Sequence, residues 1–484
     1  MTKLEEVRLS PQSYERFSGH VPRERFEEAA ELAARMRERL DGRVVWNINS
    51  TARGGGVAEM LRYLVAYGRG IGVDSRWAVL EAPAEFFRIT KRLHNSLHGS
   101  RGDGSPLGSE EKLAYERVMR DNATDLLAKV AARDVVILHD PQTAGLIPLL
   151  VDHGAIVIWR CHIGHDTTNA EVERGWAWLA PYLESAHKLV FSRQAYIPEY
   201  CDRGRSIIIP PSIDPFSPKN QDMDDEVIRS ILVHTGIVEG PDGVDTRFVR
   251  DDGTPGRVEH AADIVRLGRA PTYEAPLVVQ VSRWDHLKDP VGVLRGFVEL
   301  CELPDLDDAR LVLAGPNVVA VADDPEGAEV FEDVQDAWRK LPHAIRARVQ
   351  LVSLPMHDVE ENGAIVNALQ RHAAVVVQKS LHEGFGLTVT EAMWKARPVV
   401  ASAVGGIQDQ IEHGVDGLLL DTPEDAKQFA RLVHEVLVDH DLARKLSENA
   451  RKTVSTRYLG LMSLLAYGKL IAELDDGTAD SGRA

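Results

Sequence analysis

Short apolar runs separated by helix-like segments make up most of this chain. In its first part, apolar residues recur at helical spacing over Arg25–Leu40, Val57–Tyr67 and roughly Glu110–Ala132, which predicts helices there. The runs that predict strands in this part are Arg43–Asn49, Arg76–Leu80, Val135–Leu138, Ile156–Trp159, Leu189–Phe191 and Ser206–Ile209. Strands that alternate with helices are typical of βαβ units, whose strands form a parallel sheet.

The same alternation starts again in the second part of the chain. The runs that predict strands there are Leu277–Val281, Arg310–Ala314, Val349–Val352, Ala374–Gln378, Pro398–Ala401 and Gly417–Leu420. Between the two parts, the proline-rich segment Pro210–Pro215 interrupts both helix and strand and marks a domain junction. We therefore predict an α/β protein with two Rossmann-like domains, residues 1–213 and 214–455, each built on a doubly wound parallel sheet.

Three segments fall outside this alternation. Residues Gly236–Arg269 are rich in Gly, Asp and Arg and have little apolar periodicity, which predicts a surface insertion in the second domain. Residues 456–474 are predicted to form a C-terminal helix that packs back on the first domain. Residues 475–484 are predicted to be a disordered tail.

Length, charge and cysteine spacing narrow the class of protein. The 484 residues are many for one core and fit two domains. A formal net charge of −18 argues against a nucleic-acid partner. No apolar run reaches the length of a membrane span, and the N-terminal residues lack the apolar stretch of a signal peptide. The three cysteines show neither a disulfide framework nor a zinc spacing. We expect a soluble cytoplasmic enzyme with reduced thiols.

Glu383 and Glu391 flank a glycine-containing loop in the second domain. The loop lies between the strand Ala374–Gln378 and a helix-like segment, Leu387–Ala396. Its backbone N–H groups and the two carboxylates can together bind sugar hydroxyls, which are both donors and acceptors. The alternative is a pair of surface acids, and the spacing alone favours that alternative.

Arg283 and Lys288 follow the predicted strand Leu277–Val281. In an open parallel sheet, ligands bind beyond the carboxyl ends of the strands. A guanidinium and an ammonium suit a diphosphate and would stabilise its charge as it departs. The alternative is a solvated loop with ordinary basic residues. The Glu383 loop in the same domain favours the diphosphate site.

Candidate residues in the first domain also follow predicted strands. Gly54–Gly56 lies between a strand and a helix, where a ligand can approach the backbone, although a tight turn would need the same residues. Asp140 could accept hydrogen bonds from sugar hydroxyls, or it could cap the next helix. His162 could contact a sugar oxygen, or it could be a buried histidine with its hydrogen bonds satisfied within the fold.

Four features together resemble the retaining GT-B glycosyltransferases of family GT4: Glu383-x7-Glu391, the Arg283/Lys288 loop, the N-terminal glycine loop and Ile209–Asp214. The resemblance implies two Rossmann-like domains that face a central cleft. The segments that narrow it to the trehalose glycosyltransferring synthases are Trp46–Leu61, Glu85–Asn95 and Trp159–Ile163.

This resemblance implies a role for each candidate residue. Those implied to bind the nucleotide-sugar donor are Gly55, Gly56, Arg283, Lys288, Glu383, Gly384, Phe385, Gly386, Leu387 and Glu391. Those implied to act in catalysis are Glu383, Arg283, Lys288 and His162, and those implied to bind the acceptor are Asp140 and Asn49. The resemblance implies that the two cations hold the diphosphate and Glu391 the ribose, and that Glu383 and the Gly384–Leu387 backbone bind the glucosyl hydroxyls. No residue is assigned to a metal.

The implied reaction joins glucose from a nucleoside-diphosphate glucose to free glucose, forming α,α-trehalose reversibly and with retention at the anomeric carbon. The implied donor is UDP-, ADP- or GDP-glucose. The resemblance implies no tightly bound cofactor, and it implies for Mg²⁺ at most a stimulating role without a protein ligand. The implied partners are the small-molecule substrates and a second copy of the chain in a homodimer. Two alternatives stay open: a GT4 transferase with a sugar phosphate or glycerate as acceptor, and a non-catalytic nucleotide-sugar sensor.

Overall fold

The predicted strands of both parts of the chain form sheets in a computed structural model, which describes residues 4–52, 55–241, 245–306, 308–318 and 325–481. The chain divides into two units. The N-terminal unit comprises Met1–Ser212 with Tyr458–Ala484, and the C-terminal unit comprises Ile213–Arg457. Among the described residues, no helix combines the length and the apolar content needed to cross a membrane.

The sheet of the N-terminal unit has the strand order β1-β3-β2-β4-β5-β6-β7. Its strands are β1 (Glu5–Val7), β2 (Val44–Asn49), β3 (Asp74–Val79), β4 (Val135–His139), β5 (Ile156–Cys161), β6 (Lys188–Phe191) and β7 (Ser206–Ile208). Neighbours are parallel except β1, which pairs antiparallel with β3. The strand order reverses between β2 and β4, which makes this edge a switch point where a ligand can bind beyond the strand ends.

Helices cover both faces of this sheet. They are α1 (Arg23–Arg39), α2 (Gly55–Gly70), α3 (Ala84–Leu97), α4 (Ser109–Leu127), α5 (Ile147–Asp152) and α6 (Ala170–Leu183), with 3-10 turns at Tyr14–Phe17, Ala144–Leu146 and Gln194–Tyr196. On one face, Trp46 and Trp159 pack in a core with residues of α3, α4 and α6. On the other face, Trp77 packs with Leu61 and Val65 of α2. Alternate residues of the strands therefore serve opposite cores, as expected for a doubly wound sheet.

The sheet of the C-terminal unit has the order β10-β13-β12-β11-β14-β15-β16, beside a separate β8-β9 hairpin. The strands are β8 (Arg247–Val249), β9 (Pro255–Arg257), β10 (Asp263–Val265), β11 (Leu277–Val281), β12 (Arg310–Pro316), β13 (Val349–Leu354), β14 (Val375–Gln378), β15 (Val399–Ser402) and β16 (Leu418–Leu420). Only β10 runs antiparallel to its neighbour among the described strands of this sheet. Here the order reverses between β11 and β14.

The helices of this unit lie between the strands and after the last of them. They are α7 (Asp225–His234), α8 (Pro290–Cys301), α9 (Pro325–Arg339), α10 (His343–Arg346), α11 (Val359–His372), α12 (Leu387–Trp394), α13 (Ile407–Gln410), α14 (Ala426–Val438) and α15 (His440–Arg457), with a 3-10 turn at His286–Lys288. The apolar core of the unit joins β11, β12 and β14 to α8 and α14.

The predicted surface insertion, Gly236–Arg269, contains three short strands in the structure. β10 adds an antiparallel edge strand to β13, with Ile264 opposite Val352, and Phe248 and Val258 are buried. Sequence periodicity missed this because each strand is only three residues long and carries few apolar residues. The insertion is therefore part of the C-terminal fold.

The prediction of a disordered tail from residue 475 is wrong over the described residues. The last helix, α16 (Gly460–Ser481), continues through Asp475, whose carboxylate accepts hydrogen bonds from Arg43 at 2.7 Å and Arg133 at 3.3 Å. α16 packs on α1 and α2 in the N-terminal unit. These ion pairs explain why the polar end of the helix keeps its structure.

Candidate functional site

Two loops meet at the switch point of the C-terminal sheet. One follows β11 and carries Arg283 and Lys288, and the other follows β14 and carries Glu383. The backbone N–H of Leu381 donates to the carbonyl of Leu287 at 2.8 Å, which fastens one loop to the other. Because β11 and β14 are adjacent and parallel, their carboxyl ends present both loops at the same edge.

Lys288 and Glu383 form the central contact of these loops. The Nζ of Lys288 lies 2.5 Å from Oε2 of Glu383, and the side chains are only 16% and 11% exposed. Ser380 Oγ donates to the same carboxylate oxygen at 3.4 Å. The low exposure shields this pair from solvent, so its charges interact more strongly than those of a surface pair.

A second ion pair holds the Lys288 loop in place. Lys379, which is 1% exposed, pairs with Asp289, the residue that follows Lys288. Asp289 has a left-handed backbone, with φ of +47°, and accepts from the N–H of Gly292 at 2.9 Å, capping α8. Neither residue was singled out from the sequence, because no local spacing connects them.

Arg283 differs from Lys288 in its surroundings. Its side chain is 68% exposed and lies 3.3 Å from the carboxylate of Asp285 in the same loop. The guanidinium is therefore available at the surface of the loop, whereas Lys288 is already held by an acid.

The glycine loop supplies backbone donors at the start of α12. Gly386 has a φ of +87° and precedes the helix without a side-chain cap. Within the described residues, the N–H groups of Leu387 and Thr388 have no hydrogen-bond partner. Gln410, which is 1% exposed, donates to the Phe385 carbonyl at 2.5 Å and so helps to fix the loop. Unpaired amides at a helix N-terminus bind anions and sugar oxygens.

Glu391 lies in a buried environment. It is 2% exposed, and its Oε1 lies 3.1 Å from the Nζ of Lys219. Oε2 is buried and has no hydrogen-bond partner among the described residues. The buried Lys395 donates to the Glu391 carbonyl at 3.2 Å, and burial holds the pKa of this lysine well below its usual range. Oε1 of Glu391, the residue that the resemblance implies to bind the ribose, is thus already paired with Lys219.

Asp140 lies directly after β4 at the switch point of the N-terminal sheet. It has a left-handed φ of +64°, and its Oδ1 accepts from the backbone N–H of His162 at 2.7 Å. Its side chain makes no cap to the following 3-10 turn, so the capping alternative is wrong. Oδ2 has no hydrogen-bond partner within the described residues. Burial raises the pKa of Asp140 to about 7, although the His162 N–H and Arg160 lower it.

His162 belongs to a chain of hydrogen bonds with His139 and Asn47. Asn47 Oδ1 lies 3.2 Å from His139 Nε2, and His139 Nδ1 lies 3.1 Å from His162 Nε2. Since the amide oxygen can only accept, His139 Nε2 carries a proton, His139 Nδ1 accepts, and His162 Nε2 donates. The remaining nitrogen of His162, Nδ1, is then a lone-pair acceptor. Burial and Arg160 lower the pKa of both rings, that of His139 to about 3, which keeps the pair neutral.

The other predicted residues of the N-terminal unit differ in accessibility. Asn49 is 3% exposed, and its amide bonds Trp77 Nε1 at 2.8 Å and the carbonyl of Thr51 at 2.7 Å. Both amide groups of Asn49 are thus engaged within the fold. Gly55 and Gly56 are exposed at the start of α2, and Gly55 has a φ of +80°. Gly54, the first glycine of the predicted loop, lies outside the described residues.

No group of three or more His, Cys, Asp or Glu side chains in the described ranges is arranged to hold a metal ion. At the switch point of the C-terminal unit, the described side chains and backbone amides offer hydrogen-bond donors, acceptors and cations. This set suits recognition of a sugar and a diphosphate.

Comparison with known proteins covers most of the chain. The family of trehalose synthase N-terminal domains matches residues 47–198, and the group 1 glycosyl transferases match residues 270–453. A trehalose synthase from Pyrococcus horikoshii is 35% identical over 434 residues, covering 88% of this chain and 91% of the relative. One from Rubrobacter xylanophilus is 35% identical over 455 residues, covering 93% and 95%. A trehalose phosphorylase from Pleurotus pulmonarius is 26% identical over 430 residues, covering 84% of this chain and 54% of the relative.

Solved structures share the fold. An α,α-trehalose-phosphate synthase (UDP-forming) from Burkholderia xenovorans in complex with glucose-6-phosphate aligns with a TM-score of 0.64 at 15% identity, covering 89% of this chain and 100% of that chain. Anabaena HepE in complex with UDP and glucose aligns with a TM-score of 0.56 at 14% identity, with the same coverage.

The two Rossmann-like units and the match to group 1 glycosyl transferases define a GT-B glycosyltransferase, which confirms the predicted fold class. Identity to trehalose synthases extends over nearly the whole length of both chains. The chain belongs to the trehalose synthase family, and the predicted resemblance is confirmed.

Proposed function

We propose that this protein transfers glucose from a nucleoside-diphosphate glucose to free glucose, forming α,α-trehalose reversibly and with retention. The observation that carries the proposal is the meeting of Lys288, Glu383 and the uncapped start of α12 at one switch point. A cation, a carboxylate and free amides together suit a glucosyl diphosphate, and the trehalose synthase relatives supply the product.

In this proposal, Lys288 and Arg283 bind the diphosphate. Lys288 gives up part of its contact with Glu383 as the phosphate approaches, and the exposed Arg283 closes over the diphosphate from the loop surface. Negative charge grows on the phosphate oxygen when its bond to glucose breaks, so both cations stabilise the transition state more than the bound donor.

Glu383 and the free amides of Leu387 and Thr388 bind the hydroxyls of the glucosyl group. Glu391 binds the ribose, and this assignment requires Lys219 to move away from it. The unpaired Oε2 of Glu391 supports the assignment, because a buried carboxylate oxygen without a donor is costly and a ribose hydroxyl would satisfy it.

Asp140 and His162 bind sugar hydroxyls in the N-terminal unit. Oδ2 of Asp140 has no partner in the described part of the unit and can accept, and Nδ1 of His162 is an acceptor by its tautomer. Asn49 contributes only by shaping the start of the loop after β2, since its amide is engaged.

Retention follows from attack on the face from which the diphosphate leaves. The bond between the anomeric carbon and the phosphate oxygen breaks, the bond to the acceptor oxygen forms, and the acceptor proton passes to the departing phosphate. The Lys288–Glu383 pair supports this route over a covalent intermediate, because an ammonium held on a carboxylate makes that carboxylate a weaker nucleophile.

The test is incubation of the protein with UDP-, ADP- or GDP-glucose and unlabelled glucose, with the product resolved as a non-reducing disaccharide. We expect α,α-trehalose and free nucleoside diphosphate in equal amounts with at least one donor. Nucleotide binding without product from any acceptor, including sugar phosphates and glycerate, would favour the sensor alternative.

A second candidate function is phosphorolysis of trehalose, favoured by the similarity to the Pleurotus trehalose phosphorylase. This chain spans about half the length of that relative. Inorganic phosphate would then replace the nucleotide at Lys288. Trehalose supplied with either phosphate or a nucleoside diphosphate separates the two: glucose 1-phosphate indicates phosphorolysis, and nucleoside-diphosphate glucose indicates the transfer proposed above.

A further inference from the structure

A cavity of about 530 Å³ lies in the C-terminal unit at the edge of the sheet opposite the Lys288 and Glu383 loops. Its lining includes Pro276, just before β11, and the first residues of β12 and β13, Arg310 and Val349. The two candidate loops follow the carboxyl ends of β11 and β14. The cavity is therefore separate from the residues of the proposed transfer reaction.

The insertion forms one wall of this cavity. β10 is antiparallel to β13: Asp263 lies opposite Ser353, and Val265 lies opposite Leu351. The last residue of β10 is therefore near the start of β13. The next residues, Arg266–Arg269, line the cavity. The predicted surface insertion thus contributes to a concave surface of the C-terminal unit.

Positive charge is concentrated in this lining. The lining has four arginines and two acids: Arg266, Arg269, Arg310 and Arg348, and Glu274 and Asp308. A local excess of positive charge is notable in a protein whose formal net charge is −18. The lining therefore favours an anionic ligand that most of the surface would repel.

Backbone carbonyls hold two of these guanidinium groups in place. Arg348 donates from Nε to the carbonyl of Ala309 at 3.0 Å and also to that of Leu306, and Arg266 donates to the carbonyl of Gly236 at 2.7 Å. Within the described ranges, neither has a carboxylate at ion-pair distance. Each keeps several N–H donors unused, since a guanidinium carries five. Fixed cations with unused donors are suited to phosphate.

Gln350 adds an acceptor to the same lining. It is 3% exposed and donates to the Ile237 carbonyl at 2.9 Å, while its Oε1 is buried and has no hydrogen-bond partner among the described residues. The phosphate group of a monoester dianion has no proton to offer this oxygen. A hydroxyl group on the ligand would satisfy it.

We propose that this cavity is a binding site for a small phosphate monoester that also carries hydroxyl groups, such as a phosphorylated sugar. Arg266 and Arg348 bind the phosphate, and Gln350 accepts from a hydroxyl. The volume suits a ligand of that size, since small-molecule sites typically enclose about 300–1,000 Å³. The proposal does not depend on the proposed function, because it uses none of the residues of that reaction.

Isothermal titration of the full chain with glucose 6-phosphate tests this site. We expect binding that Arg348→Gln and Arg266→Gln each weaken by at least about tenfold, the loss of one charge-assisted contact. The matched control is Arg431→Gln, which removes the same charge from an exposed position on α14 and should bind as the unchanged chain does. Arg266 donates fewer hydrogen bonds to backbone carbonyls than Arg348 does, so its replacement should disturb the fold less. If Arg348→Gln does not fold, the affinity of Arg266→Gln for glucose 6-phosphate tests the proposal.

Glucose 6-phosphate could instead bind as an acceptor in the N-terminal unit, and Asp140→Asn separates the two sites. Binding lost in Asp140→Asn and retained in Arg266→Gln would overturn the proposal, as would the absence of binding to the unchanged chain. Methyl phosphate has no hydroxyl group outside its phosphate, so binding of methyl phosphate as tightly as glucose 6-phosphate would overturn the part assigned to Gln350.

Discussion

Replacing Lys288 by Met tests the largely buried ion pair at the centre of the proposed donor site. The substitution keeps much of the side-chain volume and removes the ammonium that lies 2.5 Å from Glu383. We expect kcat/KM for transfer to fall by about a hundredfold or more, because one preorganised cation at a developing charge contributes roughly 3 kcal/mol, and about 1.4 kcal/mol corresponds to a factor of ten.

The same substitution affects stability in a distinguishable way. Glu383 is only 11% exposed, so removing Lys288 takes away the cation paired with its carboxylate, at a cost we place at about 1–3 kcal/mol, less than for a fully buried pair. The double variant Lys288→Met/Glu383→Gln removes both charges. It should regain most of that stability in urea unfolding, while its transfer activity stays low.

The assay is initial-rate formation of nucleoside diphosphate, measured with purified variants whose folding is checked by circular dichroism. Lys427→Met is the matched control: it removes the same charge from an exposed position on α14 in the same unit and should leave the rate unchanged. A Lys288→Met enzyme within threefold of the unchanged rate would refute the role of this cation.

Three further outcomes follow from the buried polar groups. Because burial raises the pKa of Asp140 to about 7, its charged form predominates only above that pH. We therefore expect kcat/KM to rise through pH 7, and Asp140→Asn to lose this limb of the pH–rate profile. Gln410→Leu removes the hydrogen bond to the Phe385 carbonyl and should raise the KM for the nucleotide-sugar by about tenfold, with a smaller change in kcat. An unchanged KM would contradict the role of Gln410 in fixing the loop. His139 has a pKa of about 3 in the folded protein against an ordinary 6.5, so its contribution to stability is present above pH 6.5 and is lost as the pH falls toward 3, by about 1.4 kcal/mol per pH unit. The free energy of unfolding in urea should therefore fall less steeply with decreasing pH for His139→Gln than for the unchanged chain. An identical slope would contradict the buried neutral ring.

The positions of strands could be predicted because parallel strands buried on both faces are nearly continuous apolar runs. Residues that follow such strands could also be placed, since the carboxyl ends of neighbouring strands share an edge. This is why Lys288 and Glu383 were expected at one site, although their contact spans distant parts of the chain. The polar edge strand β1 was missed because Glu5 and Glu6 give it no apolar pattern.

The partners of the candidate residues could not be predicted. The pairing of Lys379 with Asp289 and that of Lys219 with Glu391 join segments far apart in the sequence, so no local spacing marks them. The burial of Glu391 depends on α12 packing with nearly all its faces covered, which an eight-residue segment does not reveal. Sequence reasoning therefore placed the candidate residues at the strand ends but could not predict the contacts that hold them there.

The most direct test of the proposed reaction is the product formed from nucleoside-diphosphate glucose and glucose labelled at its anomeric carbon. We predict a non-reducing disaccharide whose two anomeric carbons are both in the α configuration by NMR, with one nucleoside diphosphate released per disaccharide. Labelled glucose that stays unchanged while the donor is consumed, or a product that keeps a reducing end, would contradict it.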